Sequence, residues 1–196
     1  QVVRRQRQMC IRDRFRGEKA QAHIDQHYES FEQVRAEGLD ALIITGANVT
    51  GSTLSTEVFW ESLIEVADWA HQNVTSTLCS CLATHAVLEF RYEQKRQKQH
   101  HKKWGVFNHS VIDQKHPLVV DINTQFDVPH SRWNKIDSQQ FDAAGLKTLV
   151  TGDDGCTHLA TSADGFLTVF FQGHTEYDTI SLLNEYKREV TRYIAG

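Results

Sequence analysis

Midway along the chain the hydrophobic period changes abruptly, and few architectures accept the change. Residues 74–79 (Val74-Thr75-Ser76-Thr77-Leu78-Cys79) have the β-branched, apolar character of a short strand, whereas residues 82–92 fit only a helix. Ser80 and Cys81 alone separate the two. A strand that turns so directly into a helix belongs to a layered fold, because the helix must lie back across the sheet to bury its apolar face. The alternation recurs on both sides. Ile24, Tyr28, Phe31 and Val34 predict a helix over 18–37 that stops at Gly38, followed by a buried parallel strand over 39–44. Trp60, Leu63, Ile64 and Ala67 predict a helix over 57–72. The polar, basic stretch 93–103 reads as loop, and strands are expected over 105–107, 118–120 and 146–150. Segments 157–161 and 166–171 flank a Ser162-Ala163-Asp164-Gly165 turn and predict a hairpin. A last helix over 179–194 carries Leu183, Tyr186, Val190 and Ile194 on one side. The expected fold class is α/β, a mostly parallel sheet flanked by helices.

With 196 residues and a formal charge of −4, the chain suits one domain with a real core and lacks the basic footprint of a nucleic-acid binder. No apolar run approaches bilayer length, so no membrane partner is expected. Cys10, Cys79, Cys81 and Cys156 are too sparse for a disulfide framework, which favours the cytoplasm. Residues 1–16 are rich in Arg and Gln, begin without Met and show no periodicity. They are read as a non-native or disordered segment joined to a truncated gene, leaving 17–196 as a single, partial catalytic domain.

The turn at Cys81 has the form of a nucleophile elbow, which aims one side chain out of the sheet edge. A thiol at a helix N-terminus meets the positive end of the dipole, which favours the thiolate. Cys79 lies two residues earlier and projects to the same side, so these residues alone leave both sulfurs as candidates; buried cysteines are also common core residues. No second cysteine pair or suitably spaced histidine completes a tetrahedral site with them, and no metal is expected. Among eleven histidines, His174 stands out because Glu176 follows two residues on, after the strand 166–171. In extended backbone i and i+2 share a side, so Glu176 can orient the His174 ring. A thiol, an imidazole and a carboxylate form the general arrangement for nucleophilic acyl transfer. Their order along the chain is shared by class I glutamine amidotransferases.

Several segments carry a more specific resemblance: Thr45-Gly46-Ala47 after a strand, Val74-Thr75-Ser76-Thr77-Leu78 before the cysteine, Val128-Pro129-His130-Ser131-Arg132, and Gly173-His174-Thr175-Glu176-Tyr177-Asp178. From about residue 22 onward the chain resembles the homoserine O-succinyltransferase family of methionine biosynthesis. The resemblance implies a class I glutamine amidotransferase-like (flavodoxin-like) fold, whose first strand is not recognisable here. It implies Cys81 as the acyl-thioester nucleophile rather than Cys79, His174 as proton acceptor and Glu176 behind it. It implies Lys102, Ser131 and Arg188 as substrate-binding residues, Arg188 gripping the carboxylate. Leu82, Gly51 and Thr50 fall in the oxyanion and acyl-selecting region. Thr50 stands where Gly accompanies succinyl and Glu acetyl transfer, and the absence of Glu favours succinyl. Leu82 replaces a usual Trp, and Asn48 and Thr175 replace usual prolines. The expected substrates are homoserine and succinyl-CoA, with acetyl-CoA as the alternative donor, serine as an alternative acceptor, no bound cofactor, and a homodimer as the assembly considered. A glutaminase and an inactive truncated relative are the competing readings.

Overall fold

The computed structural model describes residues 18–46, 49 and 53–194. The segment 1–16, Thr50 and Gly51 therefore lie outside the described residues. The stretch expected as one N-terminal helix forms two, α1 (Glu18–His27) and α2 (Phe31–Glu37). Local chemistry makes the break. Ser30 Oγ accepts from the Gln33 N–H at 3.3 Å while Gln33 Oε1 accepts from the Ser30 N–H at 2.9 Å, a reciprocal box that starts a new helix. Gly38, at φ +78°, ends it.

Strand β1 (Ala41–Ile44) follows, then α3 (Trp60–Asn73), β2 (Ser76–Ser80) and α4 (Leu82–Tyr92). The buried residues of α3, Leu63, Val66, Ala67 and Ala70, recur at helical spacing and form its sheet-facing stripe. Beyond α4 the sequence misleads. The expected loop over 93–103 is mostly strand, because β3 runs over Gln97–Val111 and pairs antiparallel with β4 (Gln125–Lys135). Half of this ribbon is solvated, so its polar residues leave no apolar alternation to read; the backbone ladder holds it instead. Pro129 hid β4 from a sequence reading, and it is tolerated because β4 is an outer strand. The expected strand 118–120 is a turn, with the Val119 N–H donating to the His116 carbonyl at 2.9 Å and Val119 plugging the core.

Helix α5 (Ser138–Ala143) leads to β5 (Lys147–Gly152), β6 (Thr157–Thr161), β7 (Thr168–Phe171) and α6 (Ser181–Ile194). The β6–β7 hairpin forms as expected; Asp164 Oδ1 closes its turn by accepting from the Phe166 and Leu167 N–H groups at 2.8 and 2.6 Å. The sheet order is β1-β2-β7-β6-β5-β3-β4. The architecture is α/β with flanking helices, but the sheet is mixed. Only β1–β2 and β2–β7 pair parallel; β7–β6, β6–β5, β5–β3 and β3–β4 pair antiparallel. Short links between β5, β6 and β7 permit nothing else, since a parallel return needs a long crossover. Strand β1, expected to be buried, is an outer strand with Ile43 66% exposed.

One core cluster, including Leu63, Cys79, Leu88, Phe141 and Phe170, packs α3, α4 and α5 on one face of the sheet. Val111, Leu149, Leu159 and Val169 form a second cluster. Each fully buried large apolar side chain contributes about 1.5–3 kcal/mol. Helix α6 instead leaves Leu183 and Ile194 exposed and turns Glu185 and Glu189 toward β3 and β4. Among the described residues no helix is long and apolar enough to cross a membrane.

Candidate active site

Strands β2 and β7 lie side by side in parallel, with Cys79 opposite Phe170 and Ser80 opposite Phe171. The residues that follow each strand therefore leave the sheet at the same edge, where open α/β sheets place their ligands. On one side the chain turns at Cys81, at φ 53° and ψ −109°, and enters α4 at Leu82. Such a conformation costs a non-glycine residue about 1–3 kcal/mol and persists only where its surroundings enforce it. Here the Cys81 N–H donates to the Phe171 carbonyl at 2.8 Å, latching the elbow to β7. Gly46 presses on it from β1: a Cβ there would stand 3.1 Å from the Leu82 nitrogen and 3.4 Å from Cys81 Cβ. The result is a partly exposed Cys81 thiol at a helix N-terminus.

Cys79 is excluded by its surroundings. It is fully buried in the core cluster, and burial pushes its thiol up to about 12.

On the other side, β7 is followed by Gln172, Gly173 and His174. The His174 N–H donates to the Pro129 carbonyl at 2.8 Å and the Gly173 N–H to His158 Nδ1 at 3.2 Å. Gly173 cannot be larger, since a Cβ would come within 2.6 Å of Val128 Cγ1. His174 Nδ1 lies 2.8 Å from Glu176 Oε1, and the Ser80 hydroxyl donates to the same carboxylate at 3.3 Å. The segment is a turn rather than the extended backbone expected, so the turn, not strand alternation, brings Glu176 to the ring. Burial alone would lower the His174 pKa, but the Cys81 sulfur and the Glu176 carboxylate outweigh it and raise the imidazole to about 9. Burial would likewise raise Glu176, and the His174 hydrogen bond holds it below its ordinary value.

Lys102, Ser131 and Arg188 also reach this cleft, which encloses about 210 Å³ together with Cys81, Leu82 and His174. They converge on Glu185, which sequence reasoning missed. The Ser131 and Tyr177 hydroxyls donate to its two oxygens, Arg188 Nη2 lies 3.7 Å away and Lys102 Nζ 4.0 Å. Burial would raise Glu185, but these donors and cations hold it low. Lys102 also pairs with Glu189. The only sequence signal was the i, i+3 spacing of Glu185 and Arg188 on one helix.

Behind the cleft, three buried histidines from β3, β4 and β6 bring ligand atoms within 4.8 Å of one another. Sequence reasoning missed them because each comes from a different strand. Their partners set their protons. Arg132 Nε donates to His130 Nδ1 at 3.3 Å; His130 Nε2 then donates to His109 Nε2 at 3.2 Å, and His109 Nδ1 donates to the Phe107 carbonyl at 2.8 Å. His158 Nδ1 is likewise an acceptor, so two of the three nitrogens facing the cluster carry hydrogen. This is a hydrogen-bonded brace between Arg132 and the His174 loop rather than a vacant ligand set. Burial pulls all three imidazoles down, so they are neutral at ordinary pH.

A cysteine at a strand–helix elbow, an imidazole beside it and a carboxylate behind the ring, all on an α/β sheet, define a protein of the class I glutamine amidotransferase-like type. Solved structures share that fold. A glutamine amidotransferase from Thermotoga maritima superposes with a TM-score of 0.59 at 10% identity, covering 92% of this chain and 80% of that one. Another from Methylobacillus flagellatus gives 0.54 at 12%, covering 85% and 66%. The sequence is more specific: the family model for homoserine O-succinyltransferase matches residues 5–195, and the chain belongs to that family. The homoserine O-succinyltransferases of Thiobacillus denitrificans and Allochromatium vinosum are 65% and 64% identical to it over 181 residues. Each alignment covers 92% of this chain but only 52% and 51% of those proteins, so the chain spans about half the length of the curated relatives it matches.

Proposed function

We propose that this chain carries the acyl-transfer centre of a cytoplasmic homoserine O-succinyltransferase, acting through an acyl-cysteine. The Cys81 sulfur attacks the thioester carbon of succinyl-CoA; a new carbon–sulfur bond forms, the bond to coenzyme A breaks, and the departing thiolate takes the proton held on His174. Homoserine then enters the cleft. Arg188 is suited to its carboxylate, since a guanidinium grips two oxygens at once, with Lys102 and Ser131 alongside. Glu185 is suited to its ammonium. Neutral His174 removes the hydroxyl proton as the oxygen attacks the acyl carbon, and the Cys81 sulfur leaves. Glu176 holds the ring in place and stabilises its charged form. The Leu82 N–H at the start of α4 serves the tetrahedral oxyanions, and the family resemblance assigns Gly51 to the same role. Thr50 stands in the acyl-selecting region. The scheme uses no bound cofactor or metal.

The observation that carries this reading is the pairing of the strained Cys81 elbow with a His174 imidazole that Glu176 holds at 2.8 Å. Family membership supports succinyl-CoA as the donor and homoserine as the acceptor. Intact mass spectrometry after mixing with succinyl-CoA tests it: the chain should gain one succinyl mass, mapped to Cys81 and lost in Cys81→Ser. Acylation by acetyl-CoA alone would reassign the donor. Ammonia release from glutamine, with no acyl adduct, would replace transfer by a glutaminase.

A further inference from the structure

The cleft has two cationic walls of different character. At the rim, Lys102 and Arg188 already have carboxylates within reach in Glu185 and Glu189. Deeper, Arg132 and Arg96 line the same cleft, each only 5% exposed, and the charges of Glu89 and Glu57 act on Arg96. Arg132 is held by neutral groups: Nε donates to His130 and Nη1 to the Asn134 carbonyl at 3.0 Å. Asp154 acts on it from a distance but is bound by Lys103 at 2.6 Å, and the Cys156 sulfur also approaches it. Among the described residues no carboxylate forms an ion pair with Arg132. A buried guanidinium without a counter-charge is costly unless an anion arrives to pair with it. Arg132 is therefore placed to receive an anion that the protein itself does not supply.

Its location says what. Cys81, Arg96 and Arg132 line one cleft, so a short group anchored on the Cys81 sulfur is within the space that the two guanidinium groups border. The amino-acid carboxylate has the rim cations, and the coenzyme A phosphates lie a whole pantetheine arm away from the thioester carbon that Cys81 attacks. We propose that Arg132, with Arg96, forms the subsite for the distal carboxylate of a dicarboxylic acyl group, so that the inner wall selects a succinyl-type donor over a plain alkanoyl one. This inference rests on the acyl-transfer reading of Cys81.

The test compares succinyl-CoA with butyryl-CoA, which keeps the four-carbon chain and replaces the carboxylate by a methyl. Cys81 acylation by intact mass and kcat/KM for each donor are read on the whole chain. Wild type should prefer succinyl-CoA by about 100-fold or more, because a site built for a charged group rejects the analogue lacking it. Arg132→Met should cut the preference to below about tenfold, mainly by losing succinyl transfer. Arg96→Met should move it the same way and serves if circular dichroism shows Arg132→Met unfolded. Equal losses with both donors, or an effect confined to the KM of homoserine, overturns the assignment. A wild-type chain that takes both donors alike sinks the subsite and leaves acyl transfer standing; acylation by neither removes both.

Discussion

The two ends of the sheet furnish the cleft by different physics. At the parallel end, β1, β2 and β7 bring Gly46, Cys81 and His174 together through backbone geometry: adjacent carboxyl ends, an enforced positive φ and glycines with no room for a side chain. At the antiparallel end, β3 and β4 with α6 supply charge, placing Lys102, Ser131 and Arg132 across from Glu185 and Arg188. The first end tolerates little change, since a Cβ at Gly46 or Gly173 would come within 3.1 or 2.6 Å of its neighbours. The second is a set of long polar side chains that can exchange partners when a ligand enters. In the proposed scheme, chemistry sits where the backbone dictates, and recognition where side chains can adjust.

The sharpest way to break this contrast lies within the parallel end. Cys81→Ser should lower coenzyme A release by on the order of 10⁴-fold. Cys79→Ser should retain turnover and instead lower thermal stability by about 1–3 kcal/mol, the cost of an unpaired hydroxyl in the core. Equal kinetic losses from the two would erase the distinction between elbow and core.

Gly173→Ala comes next. Its Cβ would meet Val128 Cγ1 at 2.6 Å and His130 Cε1 at 2.8 Å, so the His174 loop must shift. Transfer should fall about 100-fold, as expected when a catalytic group is misplaced by about an ångström, with a stability loss of about 1–3 kcal/mol. Undiminished turnover would show that the loop is not held by the backbone.

The smallest effect comes from charge. Glu176→Gln removes one of the two groups that raise His174, so its pKa should fall from about 9 by roughly a unit, as read by NMR titration. The rate should drop roughly tenfold. The sign for stability follows from linkage. A histidine raised from 6.5 to about 9 contributes stability that is complete below pH 6.5 and lost as the pH rises through 9. Wild type should therefore weaken over that window and Glu176→Gln less so; identical pH dependence would count against the ion pair.

Much of the parallel end was legible beforehand. The segments around β2, α4 and the β6–β7 hairpin announce themselves because each buries an apolar face with a regular period, and Cys81 and His174 follow from their positions at those ends. The antiparallel end was not. Residues 97–103 lie in a half-solvated ribbon whose ladder is made of backbone groups, which every residue carries alike. Pro129 argued against a strand that only its outer position permits. Glu185 reads as an ordinary helix surface residue until Ser131 and Tyr177 are seen to close on it.

The sequence by itself determined the layered α/β class and the elbow that carries Cys81, and it set Glu176 two residues from His174, though the turn that joins them was not legible in it. These are local matters, settled by side-chain period and by residues within a few positions of each other. The tertiary structure added that, of two sulfurs two residues apart, Cys79 is buried and Cys81 partly exposed, because burial depends on what packs against a strand and not on the strand. Only it separated Lys102 and Arg188, which have carboxylates within reach, from the buried Arg132, since the cost of a charge is set by surroundings assembled from distant parts of the chain.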